Sequence, residues 1–314
     1  MMKWNFQRLF YKLIIIILEF FSKYYLSLNF KDKVPCKNDF KLIESYKEEI
    51  NCAIIIQGPL VGVNSFTYET LKLYKHLYPK SLIVLSTWQN ENESQLNRIN
   101  KLGITVLKNE PPFLKGTSNI NLQLESVKSA LRYINKKSNI EYVLKTRTDQ
   151  RITRQMNFLG FFKSLIREFP LNKMELINER LVICSLNTFL NRIYGVSDMI
   201  MFGGIREMNL YWNIPNQNEI IKAEEFDFRY FVKNNIAEGY LVSSFMEKLN
   251  YSPKWTITDG LSFIKKYFIV VDKEQLDLFW FKYERWIENN SINARNTNNE
   301  IELRFSDWIN IKQF

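Results

Sequence analysis

Residues 142–152 read YVLKTRTDQRI, an apolar stretch that ends with Lys145, Arg147, Asp149 and Arg151 at alternate positions. Successive side chains of a strand point to opposite faces, so Lys145, Arg147 and Asp149 can share one side as the strand leaves its sheet. Polar groups at the carboxyl end of a strand in an open α/β sheet stand where such sheets bind ligands. The chemistry on offer is recognition of a phosphorylated molecule, since arginine pairs with phosphate and a carboxylate holds a divalent ion or a ribose. A solvated strand end closed by a local ion pair fits the same residues.

The elements that must position these residues are legible on both sides. CAIIIQGPL is a continuous apolar run broken by Gly58 and Pro59, as in a buried strand of a parallel sheet. SFTYETLKLYKHLY follows with Thr67, Thr70, Leu71, Tyr74, Leu77 and Tyr78 at helical spacing, and Pro79 ends it. SLIVLST is a second strand. ENESQLNRINKLG is a helix with Leu96, Ile99 and Leu102 inward and Gly103 as its C-cap. ITVLK is a third strand, and NEPPFLKGTS a loop of turn formers. Ile120, Leu124, Val127, Leu131 and Ile134 mark the clearest helical period, with Ser118 or Asn119 as its cap. Strands alternating with helices predict a parallel sheet covered on both faces. Beyond residue 152 the pattern loosens. LVICSL, GVSDMIMFGG and YFIVV contain short strands, a helix begins near Glu238, and LDLFWFKYERW is an aromatic segment. This half is expected to build onto the first sheet.

The 314 residues are enough for one large or two modest domains, and an aromatic fraction of 15% argues against disorder. The net charge of +10 admits nucleic acid, anionic membrane or phosphorylated small molecules as partners. Residues 1–37 carry seven Lys/Arg against two acids, half of that net charge, on the most apolar part of the chain. No dense basic tail or zinc-finger spacing points to nucleic acid. The apolar run from Leu13 to Leu18 is short for a membrane span, which needs about 20 apolar residues. Lys3 and Arg8 before it match a signal peptide in outline, but no small-residue cleavage site follows. A basic, aromatic helix lying on a membrane surface fits better, with a helix packed on the protein's own core as the other reading. Cys36, Cys52 and Cys184 fit neither a disulfide framework nor a metal knuckle, so the cytoplasm is the simplest compartment. The single histidine, His76, is placed on a helix surface.

No G-x-G-x-x-G follows the first strand, and neither a P-loop nor a G-x-S-x-G elbow is present. What remains is a nucleotide-binding type of sheet without a glycine-rich phosphate loop. IIIQGPL, SFTYETLKLYKHLYP, SLIVLSTWQNE, GTSNINLQLES, YVLKTRTDQ, SDMIMFG and AEGYL occur in that order over about residues 50–280. As an ordered set they resemble the WavE lipopolysaccharide-synthesis family, whose members resemble glycosyltransferases of the A type. The resemblance implies a single α/β glycosyltransferase-like fold, a mostly parallel nucleotide-binding sheet flanked by helices, preceded here by an amphipathic N-terminal helix. The expected division is a membrane-associated helix and linker at 1–45, a catalytic domain at 50–288 with donor half 50–152 and acceptor half 153–288, and a tail at 289–314.

Carried over residue by residue, the resemblance implies that Gln57, Gly58 and Pro59 seat the nucleoside, and that Ser86, Thr87 and Trp88 reach the base or ribose. Asn119, Asn121, Gln123 and Ser126 would contact the donor sugar or its phosphates, and Arg147 and Asp149 the diphosphate, with Lys145 and Arg151 tuning the local field. A-type enzymes carry Asp-x-Asp at this strand end to hold Mg²⁺ or Mn²⁺. Here the segment is Arg147-Thr148-Asp149, which leaves Asp149 as the one evident metal ligand. Inverting transfer also needs a general base. Glu238 is the first candidate, with Asp198 as an acceptor-binding residue or the alternative base. Both have plainer roles, Glu238 at a helix N-terminus and Asp198 in a turn after Gly195. Lys273 is placed either on the diphosphate or, more simply, in solvent. The implied activity is sugar transfer from a nucleotide-sugar donor to a lipopolysaccharide, capsule or other surface-glycan acceptor, by a cytoplasmic protein peripheral on the inner membrane. The competing expectation is a non-catalytic sugar-binding or scaffold component of a surface-glycan assembly.

Overall fold

A computed structural model describes residues 2–21, 33, 51–137, 139–153, 157–171, 176–218, 227–282 and 301–312. It contains two compact units, Met1–Lys33 and Val34–Phe314. In the first, α1 (Met2–Phe20) is a single helix. Phe10, Leu13, Ile17 and Phe20 recur at helical spacing along it and are all exposed, so the expected amphipathic helix is present with an apolar stripe facing solvent. Among the described residues, no helix is long and apolar enough to cross a membrane. Lys23, Lys31, Cys36 and Lys37, and most of the expected linker, lie outside the described residues.

The second unit is built on β1 (Cys52–Gln57), β2 (Leu82–Trp88), β3 (Thr105–Asn109), β4 (Tyr142–Arg147), β6 (Leu181–Cys184), β7 (Met201–Gly204) and β8 (Phe268–Val271). Their order across the sheet is β3-β2-β1-β4-β7-β6-β8. The first four strands are parallel neighbours, in registers such as Ile55 with Val84 and Ile55 with Lys145. β7 runs antiparallel to β4 and to β6, and β6 pairs with β8 in parallel. β1 is buried along its whole length, as the continuous run Ala53–Ile56 requires of a strand covered on both faces.

Helices α2 (Phe66–Leu77) and α3 (Glu93–Asn100) carry the chain from β1 to β2 and from β2 to β3. Then α4 (Ile120–Ile134) carries it back past β1 to β4. Right-handed crossovers in opposite directions place α4 on the other face of the sheet from α2 and α3. The reversal makes a topological switch point between β1 and β4, the position where open α/β sheets take their ligands. All five apolar residues predicted for α4 are buried. Ser118 and Asn119 do not cap it with their side chains. Both are exposed and left-handed, with φ of 51° and 65°.

The second half does extend the first sheet. α5 (Phe158–Glu168), α6 (Ile205–Trp212) and α9 (Ile257–Tyr267) pack on β6, β7 and β8, and α7 (Phe228–Asn235) packs on α8 (Ala237–Lys248), which in turn packs on α6. Gly239 lets α8 meet the end of α7, because a Cβ there would lie 2.2 Å from the Val232 carbonyl oxygen. A two-stranded sheet pairs β5 (Gln150–Ile152) with β9 (Leu278–Trp280). Part of the stretch expected as a tail joins the core. Leu303 and Trp308 are buried, Glu302 bridges to Phe189, and α10 (Phe305–Asn310) packs on β8. Apolar side chains this large bury against the sheet edge in preference to water.

Candidate active site

Because β1, β2 and β4 are parallel, they end together, bringing Gln57–Gly58, Thr87–Trp88 and Arg147–Asp149 to one edge. β7 enters the sheet at that same edge, since Met201 pairs with Lys145, so Asp198 just before it arrives there too. Gly58 has φ of +119°, and a Cβ on it would lie 2.9 Å from Thr148 Oγ1. Glycine is therefore the residue that lets the β1 and β4 ends approach at the switch point.

The polar side chains form two clusters. In the first, Ser126 Oγ donates to Gln57 Oε1 at 3.0 Å, and Gln57 Nε2 donates to Gln123 Oε1 at 3.3 Å. Lys145 Nζ donates to the same Gln123 oxygen at 2.5 Å and to the main-chain carbonyl of Asp198. Gln123 Nε2 in turn donates to Asp198 Oδ2. Every member of this chain is buried, and Lys145 is fully so, with its ammonium 4.8 Å from the centre of the Trp212 ring. Burial pulls the Lys145 pKa down to about 7 against the upward pull of the Asp198 charge.

In the second cluster, Arg147 grips Asp149 with Nε to Oδ1 at 2.8 Å and Nη2 to Oδ2 at 3.0 Å. Trp280 Nε1 also donates to Asp149 Oδ2 at 3.0 Å, and the β5–β9 pairing fixes Trp280 opposite Gln150. Burial works to raise the Asp149 pKa, but the hydrogen bonds and charge of Arg147, helped by the Trp280 indole, hold it below its ordinary value. Arg147 keeps about a quarter of its side chain exposed, so the cation of this pair reaches solvent.

Lys145, Arg147, Asp149 and Arg151 thus do not act as one group. Arg151 turns away, and its Nε donates to Thr70 Oγ1 at 2.8 Å, its Nη2 to Phe66 O at 3.1 Å, with the guanidinium 4.3 Å over the Phe66 ring. It braces the start of α2. Lys273 is not a freely solvated lysine, because its ammonium pairs with Glu302 at 2.8 Å. Ser86 and Thr87 are fully buried, and their hydroxyls donate to Ser126 O and Glu91 Oε1. Asn121 bonds Leu114 O, Gln217 O and Gln217 N, tying two loops together. Inside a sheet with both faces covered, polar side chains must find protein partners, and these do. Of the amide-rich segment, Gln123 enters the buried network, while Asn119 and, beyond β1, Pro59 remain exposed.

Glu238 lies in the first turn of α8, with Oε1 3.7 Å from Arg192 Nη1. Asp198 differs. Gln123 holds its Oδ2, and its Oδ1 has no hydrogen-bond partner among the described residues. The two carboxylates share a neighbour, buried Tyr211. Its hydroxyl lacks a hydrogen-bond partner among the described residues, and its pKa is driven upward by burial and then by the Asp198 and Glu238 charges. The roles of Tyr211, Arg192 and Trp280 are not legible in the sequence. They are far along the chain from the strand they serve, and the only local hint is the aromatic run around Trp280.

The described residues do not form a metal centre built from several protein ligands. Asp149 is engaged by an arginine through both oxygens, and among the described residues no group of three His, Cys, Asp or Glu is placed to hold an ion.

The family model for WavE lipopolysaccharide synthesis matches residues 52–311. The chain belongs to this family. The WavE match takes in every candidate residue from Gln57 to Glu238 and ends within the C-terminal segment that packs on β8. A search of curated proteins finds no match. Solved structures similar to this WavE protein include 4-diphosphocytidyl-2C-methyl-D-erythritol synthase from Anaerococcus prevotii, at 12% identity and a TM-score of 0.40, over 74% of this chain and 98% of that one.

Proposed function

We propose that this WavE-family chain is a glycosyltransferase that moves a sugar from a nucleotide-sugar donor to a lipopolysaccharide, capsule or related surface glycan. The observation that carries the reading is the convergence of the Arg147–Asp149 pair and the Asp198 carboxylate on one edge of a parallel sheet beside its switch point. In this reading the donor lies across the β1 and β4 ends, with Gln57, Gly58 and Pro59 at the nucleoside and Arg147 at the diphosphate. Asp149 orients Arg147. The acceptor hydroxyl gives its proton to a carboxylate as its oxygen attacks the anomeric carbon. The bond from that carbon to the diphosphate oxygen breaks, and the leaving diphosphate takes the electron pair beside the guanidinium. Asp198 is the better base, because one oxygen is anchored and the other has no partner among the described residues, whereas Glu238 faces Arg192. Mg²⁺ or Mn²⁺, if carried in on the diphosphate, would find Asp149 already paired.

The protein is further proposed to work at the cytoplasmic face of the inner membrane, held by α1. Its exposed apolar stripe, with Lys3, Arg8 and Lys12 in the same helix, suits an anionic lipid surface. Deleting residues 1–37 should release the chain from membranes, and unchanged fractionation would remove the anchor from the proposal.

Calorimetric titration with a panel of nucleotides and nucleotide sugars, with and without Mn²⁺, tests the donor site. Binding of one donor, weakened by Arg147→Gln, is the expected result. Absence of binding across the panel would favour the sugar-binding or scaffold reading.

A further inference from the structure

Lys145 is a buried cation with no carboxylate in ion-pair contact among the described residues. Among the described residues its hydrogen-bond acceptors are the Gln123 side-chain carbonyl and the Asp198 main-chain carbonyl, and the Trp212 ring lies close by. Burying that charge is costly, and the hydrogen bonds that offset the cost also tie the ammonium to its surroundings. What it organises can be traced. Gln123 has one carbonyl and one NH₂ group. With the carbonyl taken by Lys145 and by Gln57, the NH₂ is obliged to face Asp198 Oδ2. The second contact of Lys145 fixes the backbone of Asp198 itself. One ammonium therefore restrains the carboxylate from the side-chain end and from the main-chain end. β4 supplies Lys145, α4 supplies Gln123, and the segment before β7 supplies Asp198, so the restraint ties together three elements at the candidate active site.

We propose that Lys145 is the positioning residue for Asp198, setting the orientation of its carboxylate through Gln123 and through the Asp198 main-chain carbonyl. The assignment of a catalytic role to Asp198 rests on the proposed function, whereas the positional link does not. The charges facing Lys145 are Asp198 before β7, Arg147 within β4 and Asp149 after it, with Gln123 from α4 and Trp212 from α6 as neutral neighbours. Asp198 and Asp149 favour the charged lysine, while Arg147 and burial oppose it, so the restraint should loosen as the pH rises through neutrality.

The test reads the Gln123 side-chain amide by nitrogen–proton NMR in the full chain, with the signal identified by its loss in Gln123→Leu. In Lys145→Met and Lys145→Gln the signal should move to the position it takes in Asp198→Ala, with the rest of the backbone spectrum preserved. In the unaltered chain it should move with pH around a midpoint of about 7. That titration keeps the question open to an answer even if both lysine variants fail to fold. A Gln123 signal that stays put in folded Lys145 variants, or is flat between pH 5 and 9 in the unaltered chain, overturns the proposal. With the nucleotide sugar found by calorimetry, kcat should fall about tenfold or more in Lys145→Gln while the donor KM holds within about threefold. A loss confined to KM would instead make Lys145 a donor contact and overturn the positioning role. If no nucleotide sugar binds, the transferase reading fails while the NMR result still decides the link from Lys145 to Asp198.

Discussion

Lys145 and Arg151 lie six residues apart, and both are almost wholly inaccessible to solvent, yet they serve different ends. Lys145 reaches across to α4 and to the segment before β7, and its partners lead to a carboxylate whose second oxygen has no hydrogen-bond partner among the described residues. Arg151 reaches to α2, and its partners there are a threonine hydroxyl, a main-chain carbonyl and a phenyl ring. None of these is a reactive group. A buried cation is therefore read by where its partners lead, and those of Lys145 lead to the Asp198 carboxylate. On its α2 side, Arg151 acts as a brace to backbone and aromatic surface.

The largest expected effect falls on the Lys145 side. Asp198→Ala should reduce sugar transfer by about 10²–10⁴-fold, the usual worth of a general base, with donor binding by calorimetry retained. Arg151→Met should do the reverse. Losing at least the two charge-assisted hydrogen bonds and the ring contact to α2 is expected to cost about 2–4 kcal/mol or more in urea unfolding while leaving donor affinity unchanged. If Arg151→Met bound donor poorly at full stability, the two cations would have to be given one role.

Arg147→Gln has a smaller expected effect, with donor binding about tenfold weaker, because a partly exposed arginine on a phosphate contributes on the order of 1.4 kcal/mol. A separate expectation is the pH dependence of stability. Folded Lys145 gives up its proton near pH 7, whereas in the unfolded chain it keeps it to near the ordinary value of 10.5. Between those values the unfolded state holds more protons, so this residue's contribution to stability should rise with pH from about 7 to about 10.5. Across that window the unfolding free energy of the unaltered chain, measured at several pH values, should rise relative to that of Lys145→Met. A parallel pair of curves would place Lys145 in a more polar setting than its neighbours imply.

Much of the fold is legible along the chain. The strands around Ile55, Val84 and Leu144 announce themselves as unbroken apolar runs, the period in α4 selects its buried face, and the helix after Ala237 begins where Glu238 suggests. The candidate site is legible only at its strand ends. Alternation places Lys145, Arg147 and Asp149 together, but it does not say that Lys145 turns to Gln123 while Arg147 closes onto Asp149 and Trp280. Ser86, Thr87 and Asn121 look available because their types suit ligands, and burial instead gives them protein partners.

From the sequence alone come the parallel sheet, its flanking helices and the residue types at its edge, because local periodicity and turn chemistry act over a few neighbouring positions. Only the tertiary structure decides which of those residues meet. Trp280 arrives at Asp149 from 131 positions away, and Asp198 arrives at Gln123 from 75. Contacts of that span depend on the crossover from β3 back to β4 and on the antiparallel entry of β7, which no local pattern encodes.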